Sequence, residues 1–172
     1  MQQYLNTSNY ADINWTTWEP VERATLLFII DGERILLIEK KRGLGAGKIN
    51  GPGGRLEPGE TLAECAVRET QEELLITATG VEAAGELNFQ FTNGHSIQGF
   101  VYTASGWQGK PTETDEAKPV WCAINEIPFH RMWADDAVWV PRMLKRQPFL
   151  GRFLFDEDTM LGHEITHRPI TF

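Results

Sequence analysis

The segment GRLEPGETLAECAVRETQEELLI, residues 54–76, decides the reading of this chain. Glycines and prolines from Gly51 to Gly59 make its first part a loop. Thr61, with Glu64 three positions on, fits a helix-capping box. Leu62, Ala66, Thr70 and Leu74 recur every four residues, with Ala63 and Val67 beside them, so a helix is predicted over 61–75 with this stripe toward the core. The other side is acidic. At about 100° per residue, Glu69 and Glu73 lie about 40° apart around the helix, and Glu72 about 60° to the other side. Like charges at this spacing repel by a few tenths of a kcal/mol on an exposed helix. Arg68, four residues after Glu64 and four before Glu72, relieves only part of that. Taken alone, the acidic run reads as a solvated face. The neighbouring glycines open a second reading. Gly54 can bring a backbone carbonyl close to a metal, and Gly53-Gly54 lets the chain pass a phosphate without a Cβ clash. Oxygen ligands with no paired histidine suit Mg²⁺, with Mn²⁺ as a substitute, better than zinc.

Strand patterns flank this segment. Residues 24–30 and 34–38 are apolar runs across Asp31-Gly32, which predicts a hairpin. Lys40–Gly54 carries six glycines and reads as a loop. A second strand pair is predicted over 86–91 and 96–104, a single strand over 120–124, and a terminal pair over 153–155 and 159–165. Residues 137–146 read as a second helix, with Pro141 blurring its start. Strand groups broken by two helices predict an α/β (α+β) fold, a mixed β-sheet sandwiched between helices. Residues 1–21, with Tyr4, Tyr10, Trp15 and Trp18 in no clear period, are expected to form an irregular arm on a domain spanning 22–172.

Composition narrows the function. The 172 residues include 24 Asp and Glu against 16 Lys and Arg, a net charge of −8. That is a poor footprint for a stable nucleic-acid complex, while a small polyphosphate remains accessible through metal ions. Cys65 and Cys122 are too few for a disulfide framework and are expected to be reduced thiols. The N-terminal stretch has neither a basic nor an apolar leader region, and Leu26–Ile30 is far too short to span a bilayer. A cytoplasmic protein with no membrane attachment, monomeric or weakly dimeric, is expected.

The spacing G-x5-E-x7-R-E-U-x-E-E-x-G-U resembles the signature of the Nudix hydrolases, carried here by Gly54, Glu60, Arg68, Glu69, Glu72, Glu73 and Ile76. Thr70 departs from an apolar position. Leu75 replaces the glycine that follows the helix, which changes how the helix ends but removes no ligand. The resemblance implies the Nudix fold and hydrolysis of a nucleoside diphosphate linked to another group, by attack of water at phosphorus. It makes Glu69, Glu72 and Glu73 metal ligands together with the Gly54 carbonyl. Arg68 becomes their orienting partner and Glu60 a supporting carboxylate. Glu72 and Glu116 both stand as candidates for the general base.

Residues 41–55, 109–121 and 128–141 are further similar to the animal-type, MutT-related 8-oxo-dGTP diphosphatases, and the similarity covers roughly 22–166. It implies that Asn50 and the Asp135-Asp136 pair bond a purine, that Trp133 packs on its face, and that Thr25, Lys40 and Phe89 complete the pocket. Gly53, Gly54 and Arg55 would meet the substrate at the metal end, and Glu116 would be a distal metal carboxylate. Adjacent carboxyls in a closed pocket repel, so one can keep its proton and the pair offers both a donor and an acceptor. Each residue also has a plain reading: Asp135-Asp136 as a helix cap, Trp133 as core, Asn50 as a loop residue bonding its own backbone, Lys40 as a solvated charge. Leu44 and Ile49 stand at pocket-loop positions where the animal enzymes carry large aromatics, and Ile97 where they carry methionine. The expected substrate is an oxidised purine nucleoside triphosphate, 8-oxo-dGTP or 2-hydroxy-dATP, with nucleotide-pool sanitisation as the role. The alternatives are another modified purine triphosphate, a dinucleoside polyphosphate, an RNA 5′-triphosphate, or a non-catalytic nucleotide sensor. The arm is open to two expectations, a cover for the pocket mouth or a dimer contact.

Overall fold

The apolar runs of the first hairpin are continuous rather than alternating, and the computed structural model, which describes residues 7–172, shows why. Both faces of the sheet are covered at these strands. β1 (Glu22–Asp31) sends Phe28 to one face and Leu27 and Ile29 to the other. β2 (Arg34–Lys40) divides in the same way, Ile35 and Leu37 against Leu36 and Ile38. On the Leu27 side lies α1 (Leu62–Leu74), packing through Ala66 and Leu74. On the Phe28 side lies α2 (Asp136–Leu144), packing through Trp139, Val140 and Met143. This is the helix-flanked mixed sheet expected from the sequence.

The remaining strands are β3 (Ile49–Asn50), β4 (Gly53–Arg55), β5 (Thr77–Phe91), β6 (Ser96–Gln108), β7 (Ala117–Ala123), β8 (Phe149–Asp156) and β9 (Thr159–His167). The sheet order is β3-β2-β1-β6-β5-β8-β9, with β4 also on β1 and β7 also on β2. The β1–β6 and β5–β8 pairs are parallel, the others antiparallel. Residues 40–54 are therefore not all loop. β3 pairs with β2, and β4 pairs Gly53 with Leu26 and Gly54 with Thr25. β5 starts nine residues before the predicted 86, with a register shift between Ala83 and Gly85. α2 runs through Pro141, so it begins one residue before the predicted 137 and ends two before 146.

Thr61 caps α1, its hydroxyl accepting from Glu64 N at 3.1 Å. Leu75 ends the helix in the left-handed conformation, φ 60° and ψ 33°, and its N–H donates to Gln71 O. This conformation is the one the expected glycine would have supplied without strain. The leucine takes it at a cost of about 1–2 kcal/mol, so the helix stop is retained.

The described part of the arm does not cover the pocket. Ile13 and Trp18 bury against Leu154, and Trp18 Nε1 donates to Gln90 Oε1 at 2.8 Å. Gln90 and Leu154 alternate with Phe89, Phe91 and Phe155, so the arm lies on the sheet face opposite the α2 cluster. Tyr4 lies outside the described residues. Both cysteines are free thiols. Among the described residues no helix is long and apolar enough to cross a membrane.

Leu75→Gly and Leu75→Ala remove the same half-exposed side chain, but only glycine relieves the positive φ. Leu75→Gly is expected to be the more stable by about 1 kcal/mol, or about 2–4 °C in thermal melting. At an ordinary helix position the order is reversed, so an alanine variant of equal or higher Tm would exclude strain at this helix end.

Candidate active site

Strand β4 runs so close to α1 and β1 that it tolerates no side chains at its start. A Cβ built on Gly53 would overlap the Thr25 carbonyl oxygen, and one built on Gly54 would overlap the Glu69 carboxylate. The backbone of Gly54 thus lies against the acidic side of α1. Glu69 and Glu73 come from successive turns of that helix, and Glu116 arrives from the loop before β7. One carboxylate oxygen from each of the three lies within 4.8 Å of the other two. Each is held by a donor. Arg68 Nη1 donates to Glu69 at 2.9 Å, Gly53 N–H to Glu73 at 3.4 Å, and Arg42 Nη2 to Glu116 at 3.0 Å.

Glu72 is placed differently. Its side chain is half exposed and turns to Arg68 at 3.3 Å, outside the three-carboxylate group. Arg68 is the organiser of this region. Its Nε and Nη2 form a fork onto Glu60 at 2.9 and 2.7 Å, and Nη2 also donates to Arg55 O at 3.0 Å. Such paired, charge-assisted bonds fix orientation as well as energy. Arg68 holds the Glu60 carboxyl down at about 2.

The carboxylates do not share one electrostatic environment. Burial, then the nearby Glu69, pushes Glu73 up to about 8, against the opposing Gly53 N–H bond. Burial also raises Glu69, against Arg68. Three oxygen donors this close repel unless a proton or a cation intervenes. A hard divalent cation fits the donor set, and the absence of a Gly54 side chain lets that backbone lie directly against the Glu69 carboxylate.

A cavity of about 340 Å³ opens from this cluster. Its lining includes every residue expected at the substrate: Thr25, Lys40, Asn50, Gly53, Gly54, Arg55, Phe89, Trp133, Asp135 and Asp136. Glu73 joins the wall at the acidic end. Phe91 and Phe155, which the sequence reading missed, frame Trp133 by edge contacts at 6.4 and 5.5 Å. Glu22 was also missed; it lines the wall and holds Arg55 Nε at 2.8 Å. Leu44 and Ile97 line the cavity as expected, but Ile49 is fully buried in the α2-side core and does not.

Several side chains have partners that qualify their expected roles. The Thr25 hydroxyl donates to Cys65 Sγ at 3.3 Å, toward α1. Lys40 Nζ donates to Leu44 O at 2.6 Å and so closes the glycine-rich loop. Asn50 does bond its local backbone, at Lys48 O, while still lining the cavity. Asp135 sits at the start of α2 without a side-chain cap bond. It instead accepts from Trp139 Nε1 at 2.8 Å, so the capping reading does not hold for it. Burial raises both Asp135 and Asp136, and the negative charge of Asp135 raises Asp136 further. A pair of buried acids that keeps a proton presents a donor beside an acceptor.

Two outcomes follow from this geometry. Gly54→Ala must displace Glu69, so Mn²⁺ affinity read by electron paramagnetic resonance is expected to fall by about 10–100-fold with the fold retained. Unchanged affinity would place the cation elsewhere. The second concerns stability. Asp136 binds its proton more tightly folded than unfolded, so its contribution is fully present below the ordinary value of 3.8 and is lost as pH rises above it. Asp136→Asn is therefore expected to raise the stability of the free protein at pH 8 by about 1–3 kcal/mol, with a much smaller gain at acid pH, measured by thermal melting.

The chain is similar to known proteins over most of its length. The NUDIX domain family model matches residues 20–143. An oxidized purine nucleoside triphosphate hydrolase of Danio rerio is 40% identical over 143 residues, which is 82% of this chain and 92% of that protein. The Mus musculus protein of the same name is 36% identical over the same shares. Among solved structures, a MutT protein from Bacillus halodurans superposes with a TM-score of 0.76 at 24% identity, over 87% of this chain and all of that one. From the glycines of β4 to the carboxylates of α1, this chain belongs to the Nudix hydrolase family.

Proposed function

We propose that this protein hydrolyses oxidised purine nucleoside triphosphates, 8-oxo-dGTP or 2-hydroxy-dATP, to the monophosphate and pyrophosphate. The observation that carries this reading is one cavity with two unlike ends. Asn50, Trp133, Asp135 and Asp136 line it together with Glu73 and Gly54 of the acidic cluster. A purine stacked on Trp133 would meet the Asp pair with its polar edge, and its phosphates would extend toward the cluster. The family membership and the names of the two vertebrate relatives support the same substrate class.

Glu69, Glu73 and Glu116, with the Gly54 carbonyl, would hold Mg²⁺, or Mn²⁺ in its place; Glu72 lies at the edge of the set, within reach only after a side-chain rotation away from Arg68. The cation supplies charge neutralisation for the phosphates and activation of water. The chain's own contribution is placement. Arg68 fixes Glu69, Gly53 N–H fixes Glu73, and the base pocket fixes the distance between purine and carboxylates. In the reaction, water adds at phosphorus, one anhydride P–O bond breaks, and pyrophosphate leaves. In-line placement and charge neutralisation govern this chemistry more than covalent catalysis does. The Asp pair can serve more than one oxidised purine by relocating its proton. The described arm and residues 22–172 would act as one small-molecule enzyme, with no nucleic-acid partner.

The test is pyrophosphate release with Mg²⁺ across 8-oxo-dGTP, 2-hydroxy-dATP, a methylated dATP, dGTP, a dinucleoside polyphosphate and ADP-ribose. An oxidised purine triphosphate is expected to exceed dGTP by at least about 100-fold in kcat/KM. Equal, slow turnover of all six would remove the base-pocket reading and leave the phosphate chemistry. Glu73→Gln is expected to abolish turnover with an unchanged circular dichroism spectrum; normal turnover would remove Glu73 from the metal set. Asp135→Asn is expected to reorder the purines in the same panel, and an unaltered ranking would exclude it from base recognition.

A further inference from the structure

The acidic cluster and the glycine-rich wall of the cavity are joined by one ion pair. Glu116 Oε1 lies 3.0 Å from Arg42 Nη2, and Lys41 N–H donates to the Glu116 carbonyl at 3.0 Å. Lys41 Nζ reaches Glu113 at 3.0 Å on the same side. The loop carrying Glu116 is thus stapled to the start of loop 41–48. That loop is stiff. Lys40 Nζ binds Leu44 O, and the Gly47 N–H donates to Lys40 O at 2.7 Å. Its next residues reach the base end. Leu44 lines the cavity, and a Cβ on Gly45 would lie 2.7 Å from Trp133 Nε1. On the opposite side, Thr114 donates to Glu73 O at 2.8 Å and accepts from Glu116 N–H at 3.2 Å. Glu116 is the joint between α1 and the wall beneath Trp133.

We infer that Arg42 is a positioning residue that couples cation binding at the carboxylate cluster to nucleobase binding at Trp133; this rests on the metal and base-pocket readings above. Both members of the pair are partly exposed, so in the free protein it is a weak contact that water competes for. Glu116 has a second oxygen to offer a cation. A cation that fixes that oxygen removes the mobility of the carboxylate, so Arg42 then binds a stationary partner. The stiff loop 41–48 is then held in place as one body, and a base seated on Trp133 meets a wall already in position. Binding that orders the protein lowers the ordering cost of the second ligand, which is positive coupling. It is reciprocal: the base tightens the cation by the same factor.

The probe is 8-oxo-deoxyguanosine, which has no phosphate to touch the cation. Its Kd is measured by calorimetry with and without Mn²⁺, in the full chain and in Arg42→Gln and Arg42→Lys. In the unaltered protein Mn²⁺ is expected to tighten the nucleoside by about two- to fivefold, the range of an exposed ion pair. In Arg42→Gln that factor is expected to fall to about one while the metal-free Kd stays within about twofold, and Arg42→Lys is expected to restore part of it. A merely structural arginine would instead shift the metal-free Kd. If the protein binds Mn²⁺ and nucleoside independently, or if Arg42→Gln keeps the full factor, the coupling is overturned and the two sites stand. If no Mn²⁺ binds, or no nucleoside binds, the corresponding site reading falls and the coupling with it.

Discussion

Two α-carbons without side chains set the geometry on which the site depends. Gly53 lies against the Thr25 carbonyl and Gly54 against the Glu69 carboxylate, so β4 can occupy the gap between β1 and α1. Any larger residue would push the strand off the helix. The close approach turns the Gly53 N–H toward Glu73 and exposes the Gly54 backbone to the acidic group. Arg68 then works on the same seam. By holding Glu60, the Arg55 carbonyl and Glu69 at once, it ties the loop before the helix to the helix itself. Glu69 and Glu73 are consequently positioned by guanidinium and backbone contacts that exist before any ligand arrives. Such preorganisation is where the catalytic power of phosphoryl-transfer sites resides.

The two ends of the cavity carry their charge in opposite ways. At the acidic end each carboxylate has its own donor, yet burial still pushes Glu73 upward. At the other end Asp135 and Asp136 are buried side by side, and burial raises both carboxyls above the ordinary range, Asp136 further through the charge of Asp135. Both arrangements cost stability in the free protein. They are local conflicts in a fold whose apolar faces are otherwise consistent, and such conflicts concentrate where ligands act. The strained Leu75 is of another kind. It keeps the helix stop that glycine would give without strain.

Much of this was legible in the chain, and the gaps have identifiable causes. The Thr61 cap and the four-residue stripe located α1, and the apolar runs located β1 and β2. β3 and β4 escaped because strands of two and three residues rich in glycine carry no alternation to detect. The first half of β5 escaped because Thr77–Ala84 is largely solvent-facing and lacks an apolar period. Helical spacing put Glu69, Glu72 and Glu73 together, but it could not weigh the pull of Arg68 on Glu72. Nor could it bring in Glu116, which reaches the group by way of β7 pairing with β2; only the family resemblance pointed there. The family resemblance set Ile49 at a pocket-loop position, while strand alternation sends it into the core and Asn50 to the cavity. Glu22, Phe91 and Phe155 have no local signature, because the register of β1, β5 and β8 brings them to the wall.

The net charge of −8 gives the last constraint on how such a cavity can treat a polyphosphate. The basic side chains near it are already engaged: Arg55 with Glu22, Arg42 with Glu116, Lys41 with Glu113, and Lys40 with a backbone carbonyl. An anionic ligand therefore finds little positive charge to draw it in, and a polyphosphate would be attracted to this surface only through a cation held by the carboxylates. On the proposed reading, affinity comes instead from the aromatic and hydrogen-bonding end, where Trp133 and the Asp pair line the cavity. That division makes recognition depend on which base is present, since every triphosphate brings the same charge. An enzyme that met ordinary nucleotides through a basic groove would be saturated by them. One that leaves the phosphates to a cation and the choice to a buried pair of acids can ignore the abundant nucleotide and act on the rare one.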